Sequence, residues 1–168
     1  MRIASGKYKN KNLKVPLGDV RPTQALLRMA VVNFLDDFLK DASVLDLYAG
    51  TGAFGIECLS RGARKVVFVD ITEKAVLAVR ENIENIGIKD ATAVYKMDAL
   101  TFLVKSIRKH RKFDIIFIDP PFSKLYMMKR EERDNYMLEI IDRAKALLND
   151  KSIIIVKHPK SASKICSG

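Results

Sequence analysis

Residues 44 to 55 read Val44-Leu45-Asp46-Leu47-Tyr48-Ala49-Gly50-Thr51-Gly52-Ala53-Phe54-Gly55. This is a short apolar run carrying one carboxylate, then a glycine-rich turn, then the start of a helical pattern. An open α/β sheet offers a small ligand the carboxyl end of a strand in this way, so the stretch is read as a cofactor site. Gly50 to Gly55 also satisfies G-x-G-x-x-G, and Asp70 closes the next strand pattern, which admits a dinucleotide. Asp46 separates the two readings. A carboxylate at the strand end would repel a pyrophosphate but attract a cofactor with a cationic amino-acid tail and no phosphate.

Outward from this stretch, strand and helix signals alternate. Strand patterns fall at 44 to 48, 66 to 70, 91 to 96, 113 to 119 and 152 to 157; helical patterns fall at 53 to 61, 73 to 86, 98 to 109 and 130 to 148, with Gly62 and Gly87 as stops. Such alternation predicts an α/β fold with a mostly parallel, doubly wound sheet whose ligand crevice opens at the carboxyl ends of the strands. Acidic residues sit at those ends. Asp70 can accept from both hydroxyls of a ribose, since a carboxylate has two oxygens and several lone pairs. Asp98, with the Ala99 N–H beside it, can take an adenine amino group, although it is equally a good N-cap for the helix that follows. Tyr48, Thr51 and Ile71 flank these groups and complete the candidate cofactor site with Gly50 and Gly52.

The stretch Phe113-Asp114-Ile115-Ile116-Phe117-Ile118-Asp119-Pro120-Pro121-Phe122 is the second signal. Two proline rings fix the backbone of this corner. The Pro120 carbonyl and the Asp119 carboxylate become adjacent acceptors with little freedom. An exocyclic amine conjugated to a ring is a poor nucleophile, and two acceptors on its N–H groups orient it and favour a pyramidal nitrogen as a methyl group arrives. Phe122 can stack on the base that carries the amine, a contact worth about 1–3 kcal/mol. Asp119 also closes the cofactor side of the crevice.

Residues 1 to 22 carry six basic side chains (Arg2, Lys7, Lys9, Lys11, Lys14 and Arg21) against one acid, Asp19. Apolar alternation on either side of Gly6-Lys7-Tyr8-Lys9-Asn10 predicts a basic N-terminal β-hairpin, and Tyr8 among cations suits a groove that holds phosphates and stacks a base. Thr23 is the expected N-cap of a helix whose stripe Leu26, Leu27, Ala30, Val31, Phe34, Leu35 and Phe38 is assigned to the core, with Arg28 on a solvated face.

The whole chain of 168 residues fits one domain, 1–168, with 48% apolar and 30% charged residues. A net charge of +10 and a pI near 9.6 predict attraction to polyanions, with nucleic acid as the natural partner. No run approaches the roughly 18 apolar residues of a spanning helix, and the amino terminus has no secretory apolar block, so no membrane role and a cytoplasmic location are expected. Cys58 and Cys166 are too few for a disulfide framework. His110 and His158 have no partners at ligand spacing, so no metal is expected. The basic cluster Lys105, Arg108, Lys109, Arg111 and Lys112 precedes the fourth strand and is expected on the far end of the sheet as a solvated face.

S-adenosylmethionine fits the phosphate-free, cationic description. The D-x-x-x-G-x-G pattern of Asp46, Gly50 and Gly52 resembles the first motif of its Rossmann-like class I methyltransferases, and Asp119-Pro120-Pro121-Phe122 resembles the fourth motif of their amino-methylating members. More narrowly, the chain resembles the bacterial RsmD family of 16S ribosomal RNA guanine-N2 methyltransferases, through Met1-Arg2-Ile3 with Gly6-Lys7-Tyr8-Lys9, Leu13 to Pro16 with Arg21-Pro22-Thr23, Val44 to Gly55 continuing to Ala63, and Asp119 to Phe122.

The resemblance implies that Gly50 and Gly52 are the first-motif glycines, Asp70 the ribose acid, Asp98 the adenine-side acid, and Asp119, Pro120 and Phe122 the catalytic corner. It also implies direct displacement, in which a guanine N2 takes the methyl group in line and its proton leaves to water or Asp119. A base must be unstacked to reach the corner. Arg2, Lys7, Lys9, Arg21, Thr23 and Lys124 are the expected RNA contacts, with a monomer acting on ribosomal RNA or a small-subunit particle. The chain departs from the family at Ala25-Leu26, where a polar pair is usual, and at Asp70, where Glu is. Eleven residues follow strand five, so a shortened C-terminal end and an exposed sheet edge are expected. Competing readings are a DNA adenine-N6 or cytosine-N4 methyltransferase, a nicotinamide oxidoreductase, and a non-catalytic RNA-binding or ribosome assembly protein.

Overall fold

The computed structural model describes residues 1–15 and 22–157, with the side chains of 22–25 and of Lys124 left out. Helices α1 (Pro22–Phe34) and α2 (Asp36–Leu39) lead into β1 (Ser43–Leu47), α3 (Ala53–Ser60), β2 (Lys65–Asp70), α4 (Glu73–Ile86), β3 (Thr92–Lys96), α5 (Ala99–Arg108), β4 (Phe113–Ile118), α6 (Phe122–Met127), α7 (Arg130–Lys145) and β5 (Leu148–Val156). The five strands form one sheet in the order β3-β2-β1-β4-β5, and every pairing is parallel. From β1 the chain winds outward through β2 and β3, then returns to the other side of β1 with β4 and β5. The reversal between β1 and β4 is the topological switch point, where an open sheet of this kind binds its ligand.

Successive residues of a strand face opposite sides, and the two core clusters follow from that. Val44, Phe68, Ile115 and Phe117 pack with α3, α4 and the N-terminal arm, where the Phe54 and Phe117 rings stack at 3.9 Å. Leu45, Leu47, Val69, Ile116 and Ile118 pack with Phe102, Leu103 and Ile140 on the other side. Strands buried on both faces read as unbroken apolar runs, which is why β4 was legible as a continuous block.

The arm is a minimal hairpin. It has one antiparallel bridge, Arg2 to Asn12, supported by the Ile3 N–H to the Lys11 carbonyl and the Leu13 N–H to the Met1 carbonyl. Ile3 and Leu13 are buried and anchor it to the core. Helix stops fall as expected, with Gly87 left-handed at φ 81° and Gly62 at φ 110°.

Several expectations are corrected. Helix α1 begins at Pro22, where proline's missing N–H is no loss, so Thr23 lies inside the first turn and is not the cap. The stripe assigned to the core is mostly exposed: Leu26 is 70% and Phe34 67% accessible, and Leu27 and Phe38 are also exposed; Leu35, just past the helix, is buried as expected, and the helix itself buries Val32 instead. Apolar residues on both faces of α1 made its inner face ambiguous. Arg28 is half-buried beside Met1, and burial lowers its guanidinium. Arg111 lies over the Tyr95 and Phe102 rings and donates to the Tyr95 hydroxyl at 2.9 Å, so it is not part of a solvated face. Strand β5 starts at Leu148 rather than 152, across a register irregularity opposite Phe113 and Ile115. Among the described residues it is an edge strand; Arg21, His158 and Cys166 lie outside them.

Candidate cofactor and active site

A cleft of about 400 Å³ opens at the carboxyl ends of the strands, lined by residues of the glycine loop, the β2 and β3 ends and the Asp119 corner. Parallel register brings these groups together. Leu47 pairs with Val69 and Ile118, Asp70 with Lys96, and Ile118 with Val156, so the residues that follow each strand share one rim. Tyr48, Gly50, Thr51, Asp70, Ile71, Asp98, Ala99 and Asp119 all line the cleft; Asp46, Gly52, Pro120 and Phe122 do not.

The loop turns by left-handed residues, Tyr48 at φ 61°, Gly50 at 55° and Gly52 at 75°. A tyrosine there is strained, and its hydroxyl is held 2.8 Å from that of Tyr136. Burial raises the Tyr48 phenol, so it stays protonated. Gly55 packs α3 closely on β2, since a Cβ there would lie 2.4 Å from Phe68.

Asp46 has a different place from the one expected. It is buried, and its Oδ2 accepts the Gly55 N–H at 3.1 Å. It therefore satisfies an open donor in the first turn of α3, where Gly52 offers no side-chain cap. Burial pushes its carboxyl well up, and the charges of Asp119 and Asp70 add to that.

Asp70 ties the loop to β2. Its Oδ2 accepts the Gly50 N–H at 3.0 Å, while Oδ1 accepts the Thr72 N–H and hydroxyl at 2.9 Å. A carboxylate has about four acceptor positions, so one is left for a ribose hydroxyl. Asp98 is the N-cap that was anticipated, its Oδ1 accepting the Thr101 N–H at 3.1 Å, and the residue also lines the cleft. Ile71, 59% exposed on the cleft wall, offers an apolar face. A carboxylate for a hydroxyl, a second for an amine and an apolar wall suit an adenosine, and among the described residues Lys74 is the one cationic side chain that lines the cleft. The residues present thus fit S-adenosylmethionine.

At the end of β4, Asp119 follows the strand and Phe122 opens α6, its ring edge-on to Tyr126 at 6.4 Å. Lys157 Nζ lies 2.9 Å from Asp119 Oδ2. Burial raises the Asp119 carboxyl, and Lys157 opposes this. Lys157 was not anticipated; a lone lysine ending Ile153-Ile154-Ile155-Val156 was the signal for it. Asn82 was also missed. Its amide bonds Lys14 in the arm and Thr51 in the glycine loop. Only the fold reveals that role, because α4 gives no local sign of it.

Of the expected RNA contacts, Arg2, Lys7 and Lys9 are exposed on the arm, with Lys7 over the Tyr8 ring and Arg2 donating to Asn12. Arg21 and the side chains of Thr23 and Lys124 lie outside the described residues. No group of three or more metal-ligating side chains occurs among the described residues, and no described helix is long and apolar enough to cross a membrane.

The chain resembles proteins already known. YlbH of Bacillus subtilis, which carries the provisional name of an rRNA methyltransferase, is 31% identical over 161 residues, covering 95% of this chain and 83% of its own. Ribosomal RNA small subunit methyltransferase D of Escherichia coli K12 is 31% identical over 125 residues, 74% of this chain; the match spans 61% of that protein's length. A solved hypothetical protein from Thermus thermophilus superposes with a TM-score of 0.80 at 27% identity, over 97% of this chain and 88% of that one. The family model described as Conserved hypothetical protein 95 matches residues 1–167, and the chain therefore belongs to that family, the RsmD family, with a Rossmann-like class I methyltransferase fold.

Proposed function

We propose that this chain, as one methyltransferase domain over 1–168, methylates the exocyclic N2 amine of a guanine in small-subunit ribosomal RNA. The observation that carries this reading is that Asp119 and Pro121 share a cleft with Gly50, Asp70 and Asp98. Asp119, one acceptor for an amine, and the groups suited to an adenosine thus line one cleft. The names of the E. coli and B. subtilis relatives point to ribosomal RNA, and the basic arm supplies contacts for its backbone.

S-adenosylmethionine, when bound, supplies an electrophilic methyl group on a sulfonium. Asp70 would take one of its ribose hydroxyls, Asp98 and the Ala99 N–H its adenine, and Ile71 the face of that ring. Asp119 and the Pro120 carbonyl hold the amine by its two N–H groups, which aims the nitrogen lone pair. Phe122 fixes the plane of the base, and Asp119 or water accepts the proton released. Alignment and electrostatics are the protein's contribution. The protein acts as a monomer in the cytoplasm, on RNA free or within a small-subunit particle.

Mass mapping of modified guanines in small-subunit RNA, from cells with and without the protein, tests the reading. One N2-methylguanine should vanish with the gene and stay absent when Asp119→Ala is supplied. An unchanged map, or label entering only DNA from tritiated cofactor, would refute it.

A further inference from the structure

We propose that Lys157 reads the O6 of the target base, so that Asp119 and Lys157 together select guanine; this rests on the guanine-N2 reading above. The two residues leave adjacent parallel strands at the same level. Ile118 pairs with Val156, and the Lys157 N–H donates to the Ile118 carbonyl at 2.9 Å. The side chains emerge together, with Nζ 2.9 Å from Asp119 Oδ2 and 5.4 Å from the centre of the Phe122 ring. Nζ covers the face of the Phe122 ring, so a base that stacks there displaces the ammonium toward its own edge, where it meets both charges. Neither is sealed off, for the Lys157 side chain is 19% and that of Asp119 30% accessible.

The chemistry of the pair matches one base. The Watson–Crick edge of guanine runs N2–H donor, N1–H donor, O6 acceptor. A carboxylate only accepts, through two oxygens, and an ammonium only donates, through three protons. Asp119 and Lys157 side by side therefore present acceptor, acceptor, donor. Lys157 can keep its bond to Oδ2 and give a second proton to O6. In adenine and cytosine the amine is followed by an unprotonated ring nitrogen, whose lone pair would face the second carboxylate oxygen. A site built to satisfy one polar pattern rejects another because buried groups are left unpaired.

The test uses the purified full chain, tritiated S-adenosylmethionine and an unmodified small-subunit ribosomal RNA transcript, with methylated nucleosides identified by mass. Lys157→Met should lower kcat/KM at guanine about 10- to 100-fold, the worth of one hydrogen bond from a charged donor. It should retain S-adenosylmethionine affinity and raise the share of N6-methyladenine and N4-methylcytosine among the products. Lys157→Arg should restore most of the rate and the selectivity.

Removing Lys157 also removes the counter-ion of Asp119, so the assay is repeated at rising pH. A deficit that persists supports the O6 contact. A deficit that disappears as Asp119 ionises reduces Lys157 to a counter-ion and overturns the proposal. Unchanged kinetics and products in Lys157→Met, with wild type active at guanine N2, would overturn this inference alone. No transfer to guanine N2 by wild type would overturn both it and the function on which it rests.

Discussion

Thr51 in the glycine loop and Lys14 in the N-terminal arm share one partner, Asn82, whose Nδ2 donates to both carbonyls at 3.0 Å. The Asn82 Oδ1 accepts the Lys14 N–H at 2.7 Å, and the residue is fully buried. The basic arm and the cofactor loop are thereby held in one frame. Asn82→Ala leaves three part-buried backbone groups short of a partner, each costing at most about 1–3 kcal/mol when unsatisfied. Urea unfolding should register a loss in that range or above it. Calorimetry should find S-adenosylmethionine affinity lowered roughly tenfold, in keeping with a loop freed on one side. Unchanged cofactor affinity in a folded variant would mean that the loop holds its shape without the arm.

Glu57 anchors the other end of the arm. Buried in α3, it accepts the Ala4 N–H through both oxygens and the Ser5 N–H through Oε1, all at 3.1 Å. Gly6 follows so closely that a Cβ there would lie 1.8 Å from the Ser60 carbonyl oxygen. Glu57→Gln replaces one acceptor oxygen with an amide that can only donate toward those N–H groups. The arm should open more often, and trypsin should cut at Lys7 or Lys9 about tenfold faster, since hydrogen bonds to charged groups are worth about 1.5–3 kcal/mol. The slope of RNA affinity against salt should shrink as arm lysines stop contributing, while S-adenosylmethionine affinity holds.

The strands and the rim acids were legible because they are local. An apolar run ending in Asp70 or Asp119 states both the strand and its exposed end. Asp98 was legible as cap and cleft residue alike, since both parts follow from one position between β3 and α5. Asp46 was legible as important but not in its partner, because the direction it faces depends on α3 folding back over the sheet. Lys157, Asn82 and Glu57 act on segments 31 to 68 residues away. No periodicity reports such contacts. The inner face of α1 was misread because it carries apolar residues all round, and a helical stripe locates the core only when the opposite face is polar.

Asp119 should set the acidic limb of the pH–rate profile. Its carboxyl is raised by burial above the ordinary value of 3.8, with Lys157 opposing the rise. It must be ionised to accept from an amine, so kcat should fall as pH drops through a point above that value. Asp119→Asn should lose about 100-fold or more in kcat, within the range for a positioned acid–base group, and lose the limb as well. S-adenosylmethionine affinity measured alongside should change little. A limb that survives the substitution would belong to another group.

Asp46→Asn tests the buried carboxyl under the glycine loop. The folded protein holds this proton more tightly than the unfolded chain, because burial and the charges of Asp119 and Asp70 oppose ionisation while only the Gly55 N–H favours it. Its contribution to stability is therefore fully present below the ordinary value of 3.8 and is lost as pH rises toward the folded-state value. An asparagine keeps an oxygen for the Gly55 N–H and has no charge to hide. The stability of Asp46→Asn minus that of wild type should be small at low pH. It should grow above about pH 4, by at most about 1.4 kcal/mol per pH unit for a single proton. Urea unfolding across a pH series measures this directly. A difference that stays flat would mean that Asp46 ionises as readily in the fold as outside it, and that the buried cap is a carboxylate at every pH.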